Sequence, residues 1–289
     1  MDTRSKILTI LLYQTRFGKQ FTETRLPSNR LIERQLSRST IRDFIPKPLE
    51  DGLLEFLVAS AVCSPTSGSL QTHSVLALTT DEEKAKLFTT EESCMAIGAV
   101  DSHNVRAIKN CSAFLIWIAD LNRIDFLLRH LTSDNDLLAQ TARAEYHLKA
   151  IIDATIVAQS FTMLAESIGL GIMYCGAIRQ IRAEHFEKEF NFPKLTFPVF
   201  GMAVGYPTEK ARRAIRPRLS TDIVLHHGIY KPMSSISKFY KENELHRGTA
   251  VDKNQDKYNY TGRMLERLTP SNAKKSVGSS LKNMGFKFD

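Results

Sequence analysis

Apolar and polar residues along the chain fall into blocks whose periods mark its elements. Residues 49–62 are largely apolar, with Leu53, Leu54, Leu57, Val58 and Ala61 at helical spacing, and predict a helix. Residues 73–79 alternate as a strand does. The run Ala-Phe-Leu-Ile-Trp-Ile-Ala at 113–119 has the composition of a central strand buried on both faces. Residues 137–168 form the longest helical pattern, with Gly169 as its stop. Its centre, 150–158, is apolar on most faces, which calls for burial in a core or at a subunit interface. Two more strands are expected at 171–174 and 196–204, and more helices at 29–36, 81–88 and 179–190. Ser28 or Asn29 caps the first of these helices, and Asp81, Glu82 and Glu83 suit the positive end of the second. Residues 206–220 keep no regular pattern, and helical fragments recur around 236–245, 258–268 and 279–283. Residues 1–27 are weakly patterned and read as an N-terminal extension. Strands interspersed with long helices give an α+β or α/β domain, and the long buried helix favours a helix-rich layer over an open doubly wound sheet.

Composition narrows this picture. A chain of 289 residues, 43% hydrophobic and 24% charged, can bury one sizeable core, or one core with an appended subdomain, as a soluble globule. No apolar run approaches the ~20 residues that span a bilayer, so no membrane partner is expected. Residues 7–13 are short for a signal segment, no small-residue cleavage site follows, and Arg16 and Lys19 come directly after. The expected location is cytoplasmic. Cys63, Cys94, Cys111 and Cys175 form no C-x-x-C pair and read as free thiols, and the eight histidines show no ligand spacing, so no metal is expected. The net charge of +8 admits nucleic acid, anionic membrane or small anions, but no nucleic-acid motif accompanies it. Lys210, Arg212, Arg213, Arg216 and Arg218 concentrate much of that charge in one short segment, and the chain beyond Lys231 is also basic.

Candidate chemistry lies in short polar segments around this apolar framework. Arg38-Ser39-Thr40-Ile41-Arg42-Asp43-Phe44 places two guanidinium groups four residues apart around two hydroxyls. Ser64-Pro65-Thr66-Ser67-Gly68-Ser69-Leu70-Gln71 is small and polar. Arginine forks, hydroxyls and backbone N–H groups are what a phosphate-bearing ligand needs, and a helix over 49–62 would bracket the two segments. Taken singly, the first is also a helix end with solvated arginines, the second an ordinary turn, and Arg216-Pro217-Arg218 a surface loop. The glycines at 169, 171 and 176 close a helix and enter a strand, the wrong context for a dinucleotide fingerprint. There is no Walker sequence and no G-x-S-x-G elbow.

In this order the segments resemble the FMN-dependent nitroreductase family. The resemblance rests on R-S-T-I-R-D-F, an apolar helix, S-P-T-S-G-S-L-Q-T-H-S-V, then Ala165 to Gly171 followed by Tyr174-Cys175-Gly176-Ala177-Ile178-Arg179. Phe197 to Pro207 and Arg216-Pro217-Arg218-Leu219 look like the branch of NADPH-preferring, oxygen-insensitive nitroreductases and flavin reductases. It covers about residues 28–250, and implies an α+β fold with a central mixed β-sheet surrounded by helices in an intertwined homodimer. The expected organisation is then an N-terminal extension at 1–27, which the resemblance does not reach, an FMN-binding domain at 28–230 and a basic helical extension of that domain at 231–289. By the family's pattern Arg38, Ser39, Thr40 and Arg42 contact the FMN phosphate and ribityl chain, and Arg216 and Arg218 complete the phosphate clamp. Thr66, Ser67 and Ser69 come from the partner subunit, Asn104 reads the edge of the ring system, and Cys175, Gly176 and Ala177 lie alongside it. Arg247 resembles the arginine that binds the 2′-phosphate of NADPH, with Lys274 and Lys275 assisting. The implied activity is NAD(P)H oxidation through flavin, passing hydride to nitroaromatics, quinones or free flavin. By this mechanism no protein side chain need act as general acid or base. The alternatives are a specialised flavin reductase or dehalogenase of the same fold, or a basic binding protein without enzymatic activity.

Overall fold

The apolar run at 113–119 forms the strand it predicts, and the core is built on it. In the computed structural model β2 covers Ala113–Asp120, and Ala113 through Trp117 are wholly shielded from solvent. Successive side chains point to opposite faces of a strand. Ala113, Leu115 and Trp117 pack with Val157, Ala158 and Phe161 of the Ala144–Ser167 helix and with Leu57 and Ala61 of the Leu53–Ala61 helix. Phe114, Ile116 and Ile118 pack on the other face with Ile108, Ile178, Phe186 and Phe192. Helices on both faces explain why this strand is apolar throughout rather than alternating.

The other strands are β1 (His73–Leu78), β3 (Gly171–Cys175) and β4 (Thr196–Gly205), in the spatial order β1-β2-β4-β3. All three ladders are antiparallel. The architecture is the expected α+β one, but the mixture of directions does not extend to neighbouring strands. β2 and β3 run parallel one place apart, connected through the Ala144–Ser167 helix, and β4 fills the place between them against both, a split βαβ arrangement.

The structure describes residues 3–18, 27–98, 102–211, 215–235 and 277–287, with Met264, Leu265 and Leu268. They fall into two compact units, one of Met1–Ser39 with Arg213–Ala273 and one of Thr40–Arg212 with Lys274–Asp289. The expected fragment at 236–245 lies outside the described residues, as does most of 258–268. The last fragment is a helix, Val277–Asn283.

Three differences from expectation have local causes. The long helix begins at Ala144 because Arg143 is extended (ψ 149°), after a short helix Asn135–Ala139 and a 3₁₀ turn. Thr141 Oγ1 there donates to Asp125 Oδ1 and Leu138 O (both 3.0 Å), side-chain bonding that competes with helix propagation. The 24-residue helix is long and apolar enough to cross a membrane by length and composition, yet it carries the fully buried Asp153 and covers the sheet. In the first unit, residues 3–17 form a helix, Thr3–Phe17, instead of an unpatterned extension. Its apolar residues Ile7 and Leu11 are each 54% exposed, while the buried ones are Thr9 and Arg16, so it lacks the periodicity of a core-facing helix. Helices at Glu91–Ile97, His103–Asn110 and Asn122–Leu131 were not foreseen, although Thr90 and Ser102 cap the first two.

His147, buried between Phe197 and Phe286, makes stability depend on pH. Burial lowers its pKa to about 4, so between about pH 6.5 and 4 only the unfolded chain takes up the proton. The contribution of this group is therefore complete above pH 6.5 and falls as the pH drops. Between pH 6.5 and 5 the protein should lose about 2 kcal/mol through it. Denaturant melts of wild type and His147→Gln at the two pH values check this; an equal loss in both proteins would assign the acid sensitivity elsewhere.

Candidate functional site

The loop at 64–72 in the second unit is held by a residue far away in sequence. Asp153, fully buried on the Ala144–Ser167 helix, accepts from Ser67 N–H (2.8 Å) through Oδ1, and from Thr72 N–H (3.1 Å) and Thr72 Oγ1 (2.8 Å) through Oδ2. Ser64 Oγ and Ser160 Oγ join the same loop and helix at 2.6 Å. Between these anchors Gly68, Ser69 and Gln71 take left-handed backbone angles (φ 59°, 55° and 52°). Two of the three are not glycine, so the conformation is strained and needs the surrounding bonds to persist. Arg123 adds donors to Gln71 O (2.8 Å) and His73 O (2.9 Å). Burial lowers the pKa of His73, an effect that Asp153 opposes. Thr66 and Ser67 are half-buried and Ser69 is exposed, so the loop presents polar groups on a fixed frame.

The segment from Arg38 to Phe44 is more than a solvated helix terminus. The Arg30–Ser37 helix, capped by Asn29 Oδ1 accepting from Ile32 N–H (2.9 Å), stops at Ser37, and the chain becomes extended. In the second unit Ile41 N–H donates to Ile172 O (3.0 Å), Ile45 N–H to Tyr206 O (2.8 Å), and Thr208 N–H to Asp43 O (3.0 Å). This lays residues 41–45 against β3 and the end of β4. Ile41 and Phe44 are buried anchors; Thr40 and Arg42 are half-buried. The approach requires Gly171, because a Cβ there would lie 2.8 Å from Ile41.

At the far end of β3, buried Cys175 leads into exposed Gly176 and buried Ala177 in a 3₁₀ turn. Arg179 holds that turn to the sheet. Its Nη1 donates to Val199 O (2.6 Å), and Val199 is the extra residue where the β2–β4 register slips between Trp117 and Ile118. A Cβ on Gly176 would meet the Arg179 guanidinium at 3.2 Å, so the glycine keeps a cationic group close to the backbone at 175–177. Asn104, half-buried on the His103–Asn110 helix, donates from Nδ2 to Ile97 O (3.3 Å), closing the preceding helix.

In the first unit the structure brings the expected arginines together around one that was not expected. Arg16, at the end of the Thr3–Phe17 helix, donates from Nε and Nη2 to Leu36 O (3.1 and 2.6 Å), from Nη2 to Arg38 O (2.7 Å) and from Nη1 to Arg216 O (2.9 Å). Arg16 O in turn accepts from Arg218 N–H (3.0 Å). Arg218 is exposed, and its Nη1 donates to Arg216 O (3.2 Å) and Pro217 O (3.1 Å); Arg38, Ser39 and Arg216 are half-buried. Burial and the like charges of Arg218 and Arg38 pull the pKa of Arg16 down to about 10. Guanidinium groups of like charge near one another attract a dianion, so the donor set fits a phosphate.

Arg212, Arg213, Arg247, Lys274 and Lys275 lie outside the described residues. Among the described residues no cluster of three metal-ligating side chains occurs, and all four cysteines are free. Asp153 and Arg16 are the residues that sequence reasoning missed. The signal for Asp153 was a lone carboxylate inside an apolar helix, which has to find partners when buried.

Residues 36–206 match the sequence profile of the nitroreductase family. A Cr(VI) reductase of Pseudomonas sp. (strain G-1) is 30% identical over 194 residues, 67% of this chain and 72% of that protein. An NADPH-dependent oxidoreductase of Staphylococcus aureus (strain bovine RF122 / ET3-1) is 31% identical over 191 residues, 66% of this chain and 70% of its own length. Among solved structures, NfrA2 of B. megaterium superposes with a TM-score of 0.76 at 25% identity, covering 90% of this chain and 99% of that one.

Proposed function

The chain belongs to the nitroreductase family, oxidoreductases that use FMN, and on that premise we propose that it is an FMN-dependent NAD(P)H oxidoreductase acting on nitroaromatics, quinones or free flavins. The observation that carries the reading is the guanidinium cluster of Arg16, Arg38 and Arg218. Several arginine forks near one another are suited to the terminal phosphate of FMN. When bound, FMN supplies the redox chemistry, accepting hydride from NAD(P)H and returning it to the acceptor.

The chain's own residues bind and orient. Arg38, Arg216 and Arg218 take the phosphate, with Ser39, Thr40 and Arg42 along the ribityl chain. The backbone of Cys175, Gly176 and Ala177 offers N–H donors to the ring edge, with Asn104 as a further reader of it. Arg179, beside Gly176, makes that surrounding electropositive, which favours a reduced, negatively charged ring.

The proposal includes a homodimer whose partner supplies Thr66, Ser67 and Ser69 to each site. It is supported by an apolar stripe at four-residue spacing on the Ala144–Ser167 helix: Leu148, Ile152 and Ile156 are 54%, 42% and 36% exposed. The same helix, through Asp153, holds the 64–72 loop. Wild-type protein saturated with FMN should sediment as a dimer and oxidise NADPH with a quinone or nitroaromatic as acceptor. Ile152→Glu should give a folded monomer without FMN or turnover. An active, flavin-loaded monomer would overturn the two-chain site, and a wild-type dimer without NADPH or NADH oxidation would overturn the function.

A further inference from the structure

Arg16 stands outside the segment that matches the family, on a helix that carries no core-facing apolar stripe, and yet it is only 4% exposed. Four hydrogen bonds run from its planar fork to carbonyls of Leu36, Arg38 and Arg216. Leu36 and Arg38 close the Arg30–Ser37 helix, whose last carbonyls have no partner within the helix and carry its negative pole. Uncapped, they would oppose an anion next to Arg38. Arg216 belongs to the other arginine segment, and the N–H of Arg218 returns to Arg16 O. One side chain and its own backbone thus fix both arginine segments relative to each other.

We propose that Arg16 is a positioning residue for the cofactor phosphate. It sets the backbone from which Arg38, Arg216 and Arg218 reach the phosphate, and it couples docking of the Thr3–Phe17 helix to FMN binding. This rests on the reading of the protein as an FMN enzyme. Arg16 itself touches the carbonyls and leaves the phosphate to its neighbours; four of the five N–H donors of its guanidinium are directed to them. Its positive charge, held at some cost by burial and by the two like-charged neighbours, is offset when a dianion arrives. A lysine would keep the charge but could not span three carbonyls with a flat fork.

The test compares FMN with riboflavin, which has the same ring system and no phosphate, on wild-type, Arg16→Gln and Arg16→Lys apoprotein by fluorescence titration. Wild type should prefer FMN. Arg16→Gln should weaken FMN by about tenfold or more and leave riboflavin within about twofold, and Arg16→Lys should recover little of the loss. Equal weakening of both ligands, no weakening of FMN, or full recovery by lysine would overturn the positioning role. A second readout needs no variant: FMN, but not riboflavin, should slow amide exchange across the Thr3–Phe17 helix of wild type, and unchanged exchange would also overturn the proposal. Wild-type protein that binds neither ligand would instead remove the FMN reading on which the proposal stands.

Discussion

Replacing Asp153 with asparagine should lower the melting temperature by roughly 6–12 °C and abolish retention of FMN. The carboxylate is fully buried and accepts three hydrogen bonds, two from backbone N–H groups and one from a hydroxyl. Asparagine keeps one acceptor oxygen and turns an N–H₂ group toward at least one of those donors. Leaving charged-group bonds unmade in a buried site costs on the order of 3 kcal/mol, and in a chain of this size each kcal/mol shifts the midpoint by about 2–4 °C. The loss of function has a separate cause. Ser69 and Gln71 occupy left-handed angles only while the loop is pinned at Ser67 and Thr72. Released, the loop should relax to ordinary angles and, in the proposed two-chain site, no longer present Thr66, Ser67 and Ser69 to the partner subunit's cofactor. Thermal melts and the flavin content of purified protein check both parts. An Asp153→Asn protein with wild-type stability and full flavin would show that the loop is held by other means.

Removing Arg38 and Arg218 together should weaken FMN at least about a hundredfold, because two charge-assisted bonds contribute about 3 kcal/mol or more. The stability of the apoprotein should be unchanged or slightly higher. Both side chains repel Arg16, so their loss relieves a like-charge penalty. Opposite movements of ligand affinity and apoprotein stability separate a binding role from a structural one. FMN affinity within about twofold of wild type would remove the phosphate-clamp assignment.

Elements whose signals are local were legible in the sequence. The 113–119 run became β2 because a strand covered on both faces needs apolar residues at every position. Asn29 caps its helix as its short polar side chain suggests. The motif around Cys175 to Arg179 sits at the end of a strand, as its glycine and preceding apolar residues imply. What stayed hidden depends on partners distant in the chain. Asp153 bonds to groups 81 and 86 residues away, and nothing in its neighbourhood identifies them. Arg16 reaches Arg216 across 200 residues, on a helix whose buried positions are polar, so a search for apolar periodicity passes over it. The order of strands was equally illegible: β4 enters between β2 and β3 after both are made, and short apolar stretches do not encode which neighbours they will pair with.

The most direct test is an anaerobic titration of the purified, FMN-saturated dimer with NADPH, followed by visible absorbance. The flavin band should bleach in proportion to added NADPH until one equivalent per flavin has been consumed, and return when a quinone is added. Protein that fails to take up FMN, or that holds it with a spectrum unchanged by NADPH and by NADH, would contradict the assignment as an FMN-dependent NAD(P)H oxidoreductase.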